Sequence, residues 1–577
     1  MVVIENNSSS TSNTNLELMD NVSKALLNKI NITEKNNKII EVVIISGDSV
    51  DNIAQFVDNL GGTYENLGYG FGIVKISVDK FVDLAKNRNI QYIEMPKNLY
   101  TTDSSSNRAS CVQQARDTFS IQGEGVLIGF IDSGIDYTHP AFRNDDGTTR
   151  IEYIYDLSES GKIYNKAKIN EALESKDPFS IVSSYDQTAH GTHVAGIACA
   201  GGKINPNYYG VAPKSSIAMV KSTRGSFALS TNIMKGLKFL VDKSKELKMP
   251  LSVNISLSTN DGAHNGTSLL EQYISTVATL ERITISIAAG NEGSASHHVG
   301  GELKDEKRIS VNIADDESSV VINLYTSVLQ DISIKIISPT GSSSDYIEIE
   351  EGFKKGNIGA DVYQIIDTGP KPFDIVGEVV VSLIPSGQYL STGQWDILIR
   401  VNNNYKGIFD MWLPILEGLN TNTKFLQPTV TNTLGIPATV TNIIAVGSYN
   451  YINRNISSFS GRGRPTIFAP IRPDLVAPGE EIISAAPNRS FDSKSGTSMA
   501  TPHVTGIAAL LMEWGIVKNN DPYLYGERLK FYLVRGAKRS RTDVIYPDVS
   551  WGYGEVCAYG AFELVVEVIN SLKSSRN

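Results

Sequence analysis

Ser495-Gly496-Thr497-Ser498-Met499-Ala500-Thr501-Pro502-His503-Val504 places a serine hydroxyl between a tight glycine turn and the start of a helix. Two distant segments accompany it, Ile131-Asp132-Ser133-Gly134 and His190-Gly191-Thr192-His193-Val194-Ala195-Gly196. In chain order the three supply an acid, a base and a nucleophile: Asp132, His190 and Ser498. A lone serine in such a string usually only caps a helix, whereas three motifs in a fixed order point to one reaction.

That order, with these motifs, resembles the subtilisin-like serine proteases. Further segments typical of the family are Asp136-Tyr137-Thr138-His139-Pro140, Gly210-Val211-Ala212-Pro213, Asn254-Ile255-Ser256-Leu257, Ala288-Ala289-Gly290-Asn291, Pro473-Asp474-Leu475-Val476-Ala477-Pro478-Gly479 and Gly552-Tyr553-Gly554. The likeness covers about residues 105–296 and 429–570.

The rest of the composition narrows the function. The 577 residues exceed one ordinary core, so two to four domains are expected. Lys and Arg number 52 against 62 Asp and Glu, a formal charge of −10 without a basic block, which argues against nucleic acid as a partner. Cys111, Cys199 and Cys557 are too few for a disulfide framework and are expected to be buried thiols. The N-terminus lacks the basic and apolar regions of a standard secretory signal, and no apolar run approaches the roughly 20 residues of a membrane span. The expectation is a protein with no membrane span, kept inside the compartment that made it.

Hydrophobic periodicity divides the chain into modules. Residues 1–40 form a polar leader. Residues 41–102 alternate strand, helix, strand, helix, strand, with Val42–Ile45, Phe71–Ile76 and Gln91–Met95 as strands, and Asp48 and Ser49 as caps for the first helix. This predicts a small α+β domain. Residues 103–296 and 429–577 carry short apolar runs separated by helical patterns, which predict a doubly wound parallel sheet of the α/β class. Residues 297–428 interrupt them with alternating strand-like runs, predicting an inserted, jelly-roll-like β-sandwich.

Peptide hydrolysis needs a base to take the serine proton and return it to the leaving amine, which is the role expected of His190. A buried carboxylate must orient the imidazole, and Asp132 is preferred to Asp136 because the apolar run ends at Asp132. His193 is the rival of His190. Its spacing of three, with Gly191 rather than Glu beside the first histidine, departs from the metalloprotease pattern, so a packed structural role is expected.

The family resemblance implies more. It makes Asn291 the oxyanion donor with the Ser498 N–H, and makes Gly225-Ser226-Phe227 and Ser256-Leu257-Ser258 the edges that bind an extended protein substrate. Ser258 and Thr259 stand where the family often has glycine, which suggests a narrower pocket. The position of the upstream domain implies a propeptide, an intramolecular chaperone and inhibitor, cut between Leu99 and Ser105 rather than beside Pro96. No cofactor is expected. Calcium is common in the family, but Asn144-Asp145-Asp146-Gly147 lacks the spacing of a dedicated calcium loop and reads as a solvated turn.

Among these proteases, the absent signal, the upstream domain and the long insertion resemble the clostridial germination proteases called Csp. That resemblance implies action inside a bacterial spore on the pro-form of a cortex-degrading hydrolase. The competing expectations are an inactive relative kept for binding and a general housekeeping protease.

Overall fold

The computed structural model describes residues 39–94, 105–158, 161–225, 227–367, 369, 374–465 and 470–574. The chain divides into two compact units, Met1–Thr101 and Thr102–Asn577.

In the first unit, Ile39–Ser46 pairs antiparallel with Phe71–Ser77 and with Ile90–Glu94, and Thr63–Gly68 adds an outer strand. Helix Val50–Asn59 begins at Ser49, whose hydroxyl accepts from Asn52 N. It buries Ile53 and Val57, while Phe81 and Leu84 of Phe81–Ala85 join Val42, Ile44 and Val74 in the same core. The Thr63–Gly68 strand was not foreseen because its residues are mostly polar and exposed.

The second unit is built on eight strands: β1 (Leu127–Asp132), β2 (Ile151–Asp156), β3 (Lys162–Asn165), β4 (Ser216–Lys221), β5 (Leu251–Ile255), β6 (Ile283–Ala288), β7 (Ile444–Tyr449) and β8 (Leu475–Pro478). Their order across the sheet is β8-β7-β6-β5-β1-β4-β2-β3, and only the β2–β3 pairing is antiparallel. Helices α1 (His190–Cys199), α2 (Ser230–Leu247), α3 (Leu269–Ala278) and α4 (Thr497–Met512) are among those that flank it. The period of two sorts β1 between the sheet's faces. Ile128 and Phe130 pack with Val194 of α1 and Val504 and Ile507 of α4, while Leu127 and Ile131 pack with Leu237 of α2 and Ile274 of α3.

The expected α/β doubly wound sheet is therefore present. The strand order reverses around β1, and ligands of open parallel sheets bind at the C-terminal ends of strands beside such a reversal. Asp132 is the last residue of β1.

The insertion is a sandwich of two antiparallel sheets. One runs His298–Leu303, Gly407–Trp412, Val320–Ser327, Val376–Pro385, Asp361–Asp367, Gly352–Ile358; the other runs Ile347–Glu348, Ile332–Ile337, Gly393–Val401, Glu306–Ile313, Lys424–Phe425. Both fill one core around Trp395. The insertion also grips a loop of the catalytic fold: Trp412 stacks on His264 with centroids 4.1 Å apart, and on His298 of the insertion itself at 4.9 Å.

The expectation of three buried thiols is corrected. Cys111 and Cys557 form a disulfide, with Cα atoms 4.9 Å apart, and Cys199 alone is free and buried. Ala558 N donates to Ser110 O beside the bridge, so the backbones are already aligned there.

Candidate active site

His190 opens α1 and Ser498 lies in the first turn of α4, and the two helices pack against one another. Asp132 is fully buried, and its Oδ1 lies 2.7 Å from His190 Nδ1 while accepting Ser133 N at the same distance. Gly191 makes the approach of α1 to β1 feasible, since a Cβ there would stand 2.2 Å from Gly134 O and 3.1 Å from Asp132 Oδ1. Burial opposes charge on His190, but the charge and hydrogen bond of Asp132, with Asp186 beyond, outweigh it and hold the imidazole above the ordinary histidine value.

Asp186 was not singled out in the sequence. Its Oδ2 accepts Thr192 N at 2.8 Å and Thr192 Oγ1 at 2.7 Å, and its Oδ1 accepts Ser133 Oγ at 2.8 Å. Ser133 Oγ in turn accepts Gly191 N at 2.9 Å. The signal that could have revealed Asp186 is an acid just ahead of a helix start, where free N–H groups seek acceptors.

The rivals take structural roles. Asp136 accepts Thr138 N and Thr138 Oγ1 on one oxygen and Asn488 N on the other, fixing the turn after β1. His193 is fully buried with Nε2 against the carbonyls of Ile482 and Asp492, and burial pushes it down to about 4.

Ser498 is positioned through a defect in its helix. Its carbonyl would accept from the N–H of residue 502, but Pro502 has none, and Ser256 Oγ donates to that carbonyl at 3.3 Å instead. The Ser498 hydroxyl donates to Ser256 O at 3.4 Å, long for such a bond. Asn291 follows Gly290, whose φ of +87° suits glycine. Its Oδ1 accepts Thr497 N and Thr497 Oγ1, both at 3.0 Å, which leaves Nδ2 to donate elsewhere. The Ser498 N–H, in the first turn of α4, lacks an intrahelical acceptor.

This geometry supports acyl transfer. In such a step Ser498 Oγ would attack the scissile carbonyl carbon as its proton passed to His190, and Asn291 Nδ2 and the Ser498 N–H would hold the oxyanion. The proton would then move to the departing amine as the C–N bond broke, and water would repeat the cycle in reverse to free the acid.

The expected substrate edges divide. Ser256 touches Ser498, and Leu257 and Ser258 continue from it to line a cavity of about 260 Å³. Gly225 and Phe227 depart from a single extended strand, because the chain turns at Gly225 (φ +63°) and Phe227–Ala228 pairs back on Thr223–Arg224. Phe227 still lines the same cavity. Ser226, the polar leader's residues 1–38 and most of the expected cut, from Leu99 to Ser104, lie outside the described residues.

The loop at Asn144 is turned in on itself: Asp146 Oδ1 accepts Thr148 N and Thr148 Oγ1. Among the described residues, no cluster of three or more His, Cys, Asp or Glu could hold a metal ion, and no helix is long and apolar enough to cross a membrane.

Comparison with known proteins agrees with this geometry. The Subtilase family model matches residues 123–355 and 420–554, and the Csp protease B prodomain model matches residues 10–97. The solved CspB protease of Clostridium perfringens is 56% identical, with a TM-score of 0.78, covering 80% of this chain and 98% of that one. The PI-type proteinase of Lactococcus lactis subsp. cremoris is 26% identical over 86% of this chain, which spans only 28% of that protein's length. The minor extracellular protease Vpr of Bacillus subtilis is 24% identical, covering 85% of this chain and 60% of Vpr. Since the family match takes in the segments bearing Asp132, His190, Asn291 and Ser498 on a sheet of the expected topology, the chain belongs to the subtilase family of serine peptidases and carries a Csp-type prodomain.

Proposed function

We propose that this chain is a serine endopeptidase that first cuts off its own prodomain and then cleaves a protein substrate, the pro-form of a spore cortex-degrading hydrolase, when germination begins. The observation that carries the proteolytic reading is the Asp132–His190 contact at 2.7 Å beside an intact Ser498 and Asn291, since an inactive relative kept for binding would have no use for all four. The germination role rests on the Csp protease B prodomain match and on the likeness to CspB across most of both chains. Action within the spore, and the prodomain as inhibitor and folding aid, belong to the same proposal.

Intact mass and N-terminal sequencing of the wild type beside Ser498→Ala test it. The wild type is expected to split between Leu99 and Ser105 and the variant to stay whole. If both stay whole, either the site is misassembled or the chain acts by binding. A purified enzyme that digests denatured proteins broadly, without preference for the hydrolase precursor, would point to housekeeping instead.

A further inference from the structure

The inserted sandwich sends one turn back onto the substrate cleft. A cavity that begins one residue past Ser256 is walled by Phe227, Leu257, Ser258 and Leu270 of the catalytic fold, and on another side by Ile415 and Glu417 of the insertion. Its connection to the reaction is short: Ser498 Oγ donates to Ser256 O, and Leu257 is the next residue.

The turn that carries Glu417 is held from both ends. Within it, Gly418 N donates to Ile415 O at 2.8 Å, closing a single 3₁₀ turn over Leu416–Gly418. From the catalytic fold, Glu292 Oε1 accepts Leu416 N at 3.1 Å. Glu292 is buried, and its other oxygen lies 2.7 Å from Nδ1 of the equally buried His297, whose Nε2 faces Thr423 O at 3.2 Å. Glu292 directly follows Asn291. One short segment thus aims the oxyanion donor and fixes the insertion's turn at the cavity.

Glu417 itself is exposed and makes no ion pair among the described residues. An apolar side chain entering the cavity would cover the walls yet draw water from that carboxylate without replacing it. A lysine or arginine does both, laying its methylenes on the apolar wall and bringing its charge to the rim. An acidic side chain meets repulsion.

Building on the proteolytic reading above, we propose that the insertion is a specificity element and that Glu417 selects a long cationic side chain, Lys or Arg, on the acyl side of the bond to be cut in the protein substrate.

The test is a set of quenched fluorescent peptides in which each of the residues preceding the scissile bond is in turn Lys, norleucine or Glu. At one position the wild type is expected to favour Lys over Glu by about three- to tenfold in kcat/KM, the range of a solvent-exposed pair, and the ratio should shrink as salt is raised. Glu417→Gln should bring the ratio close to one and Glu417→Lys should invert it. A ratio unchanged in both variants while activity persists overturns the proposal and leaves the protease standing. A wild type that cuts none of the set also overturns it. A fluorophosphonate label on Ser498 then decides the other question: labelling keeps the proteolytic reading, and its absence removes that as well.

Discussion

Asp132 Oδ1 and His190 Nδ1 lie 2.7 Å apart, with the carboxylate fully buried at the end of β1 and the imidazole at the first residue of α1. The pair fixes which nitrogen of His190 carries a proton and leaves Nε2 to serve Ser498.

His190 must be neutral to act as a base, and its partners hold it above the ordinary histidine value. Activity is therefore lost as pH falls through that raised value, and the acid limb of kcat/KM should lie above about 6.5. Asp132→Ala should lower kcat by about 3 × 10⁴-fold, a magnitude carried over from subtilisin, and should move the limb downward. A pH–rate profile of both proteins checks it; a limb at the same pH in each would sink the assignment.

Asn291→Ala should reduce kcat by about 10²–10³-fold, again the size known from subtilisin, while KM changes little. The reason lies in the split use of the amide: Oδ1 is occupied by Thr497, so Nδ2 is the group that meets the developing charge. A loss expressed mainly in KM would mean that the side chain binds substrate instead.

Buried histidines should limit the acid tolerance of the catalytic unit. Burial pushes His193, His264 and His503 each down to about 4. Between about 6.5 and about 4 the unfolded chain binds their protons and the folded chain does not, so stability present at neutral pH falls as the pH drops through this window. Each can contribute a slope of up to about 1.4 kcal/mol per pH unit. Thermal unfolding followed from pH 7.5 to 4.5 should show a steadily falling midpoint, and calorimetry should show proton uptake on unfolding. A flat midpoint would contradict the assignment.

The reactive groups were legible in the sequence because each sits in a local motif whose glycines and small residues are dictated by close approach, as Gly191 is by Gly134 and Asp132. The parallel sheet was legible because its strands are short, mainly apolar runs, and they are buried on both faces. What stayed hidden depends on chain segments meeting from afar. Nothing in the spacing of Cys111 and Cys557, 446 residues apart, brings their segments together, and nothing near Leu416 announces that Glu292 will hold it. The hairpin at Phe227 was missed because a two-residue strand has too few positions to show a period. Thr63–Gly68 was missed because it lies at a sheet edge with little to bury.

The Cys111–Cys557 bridge has a topological effect. It closes the backbone into a covalent ring that contains Asp132, His190, Asn291, Ser498 and the entire sandwich. A cut upstream of Cys111 leaves this ring untouched. A single accidental cut inside it opens the ring into a line and releases no fragment, so the broken ends stay at the high effective concentration of one molecule. A catalyst whose trade is severing backbones is thereby protected against being divided by one of its own copies.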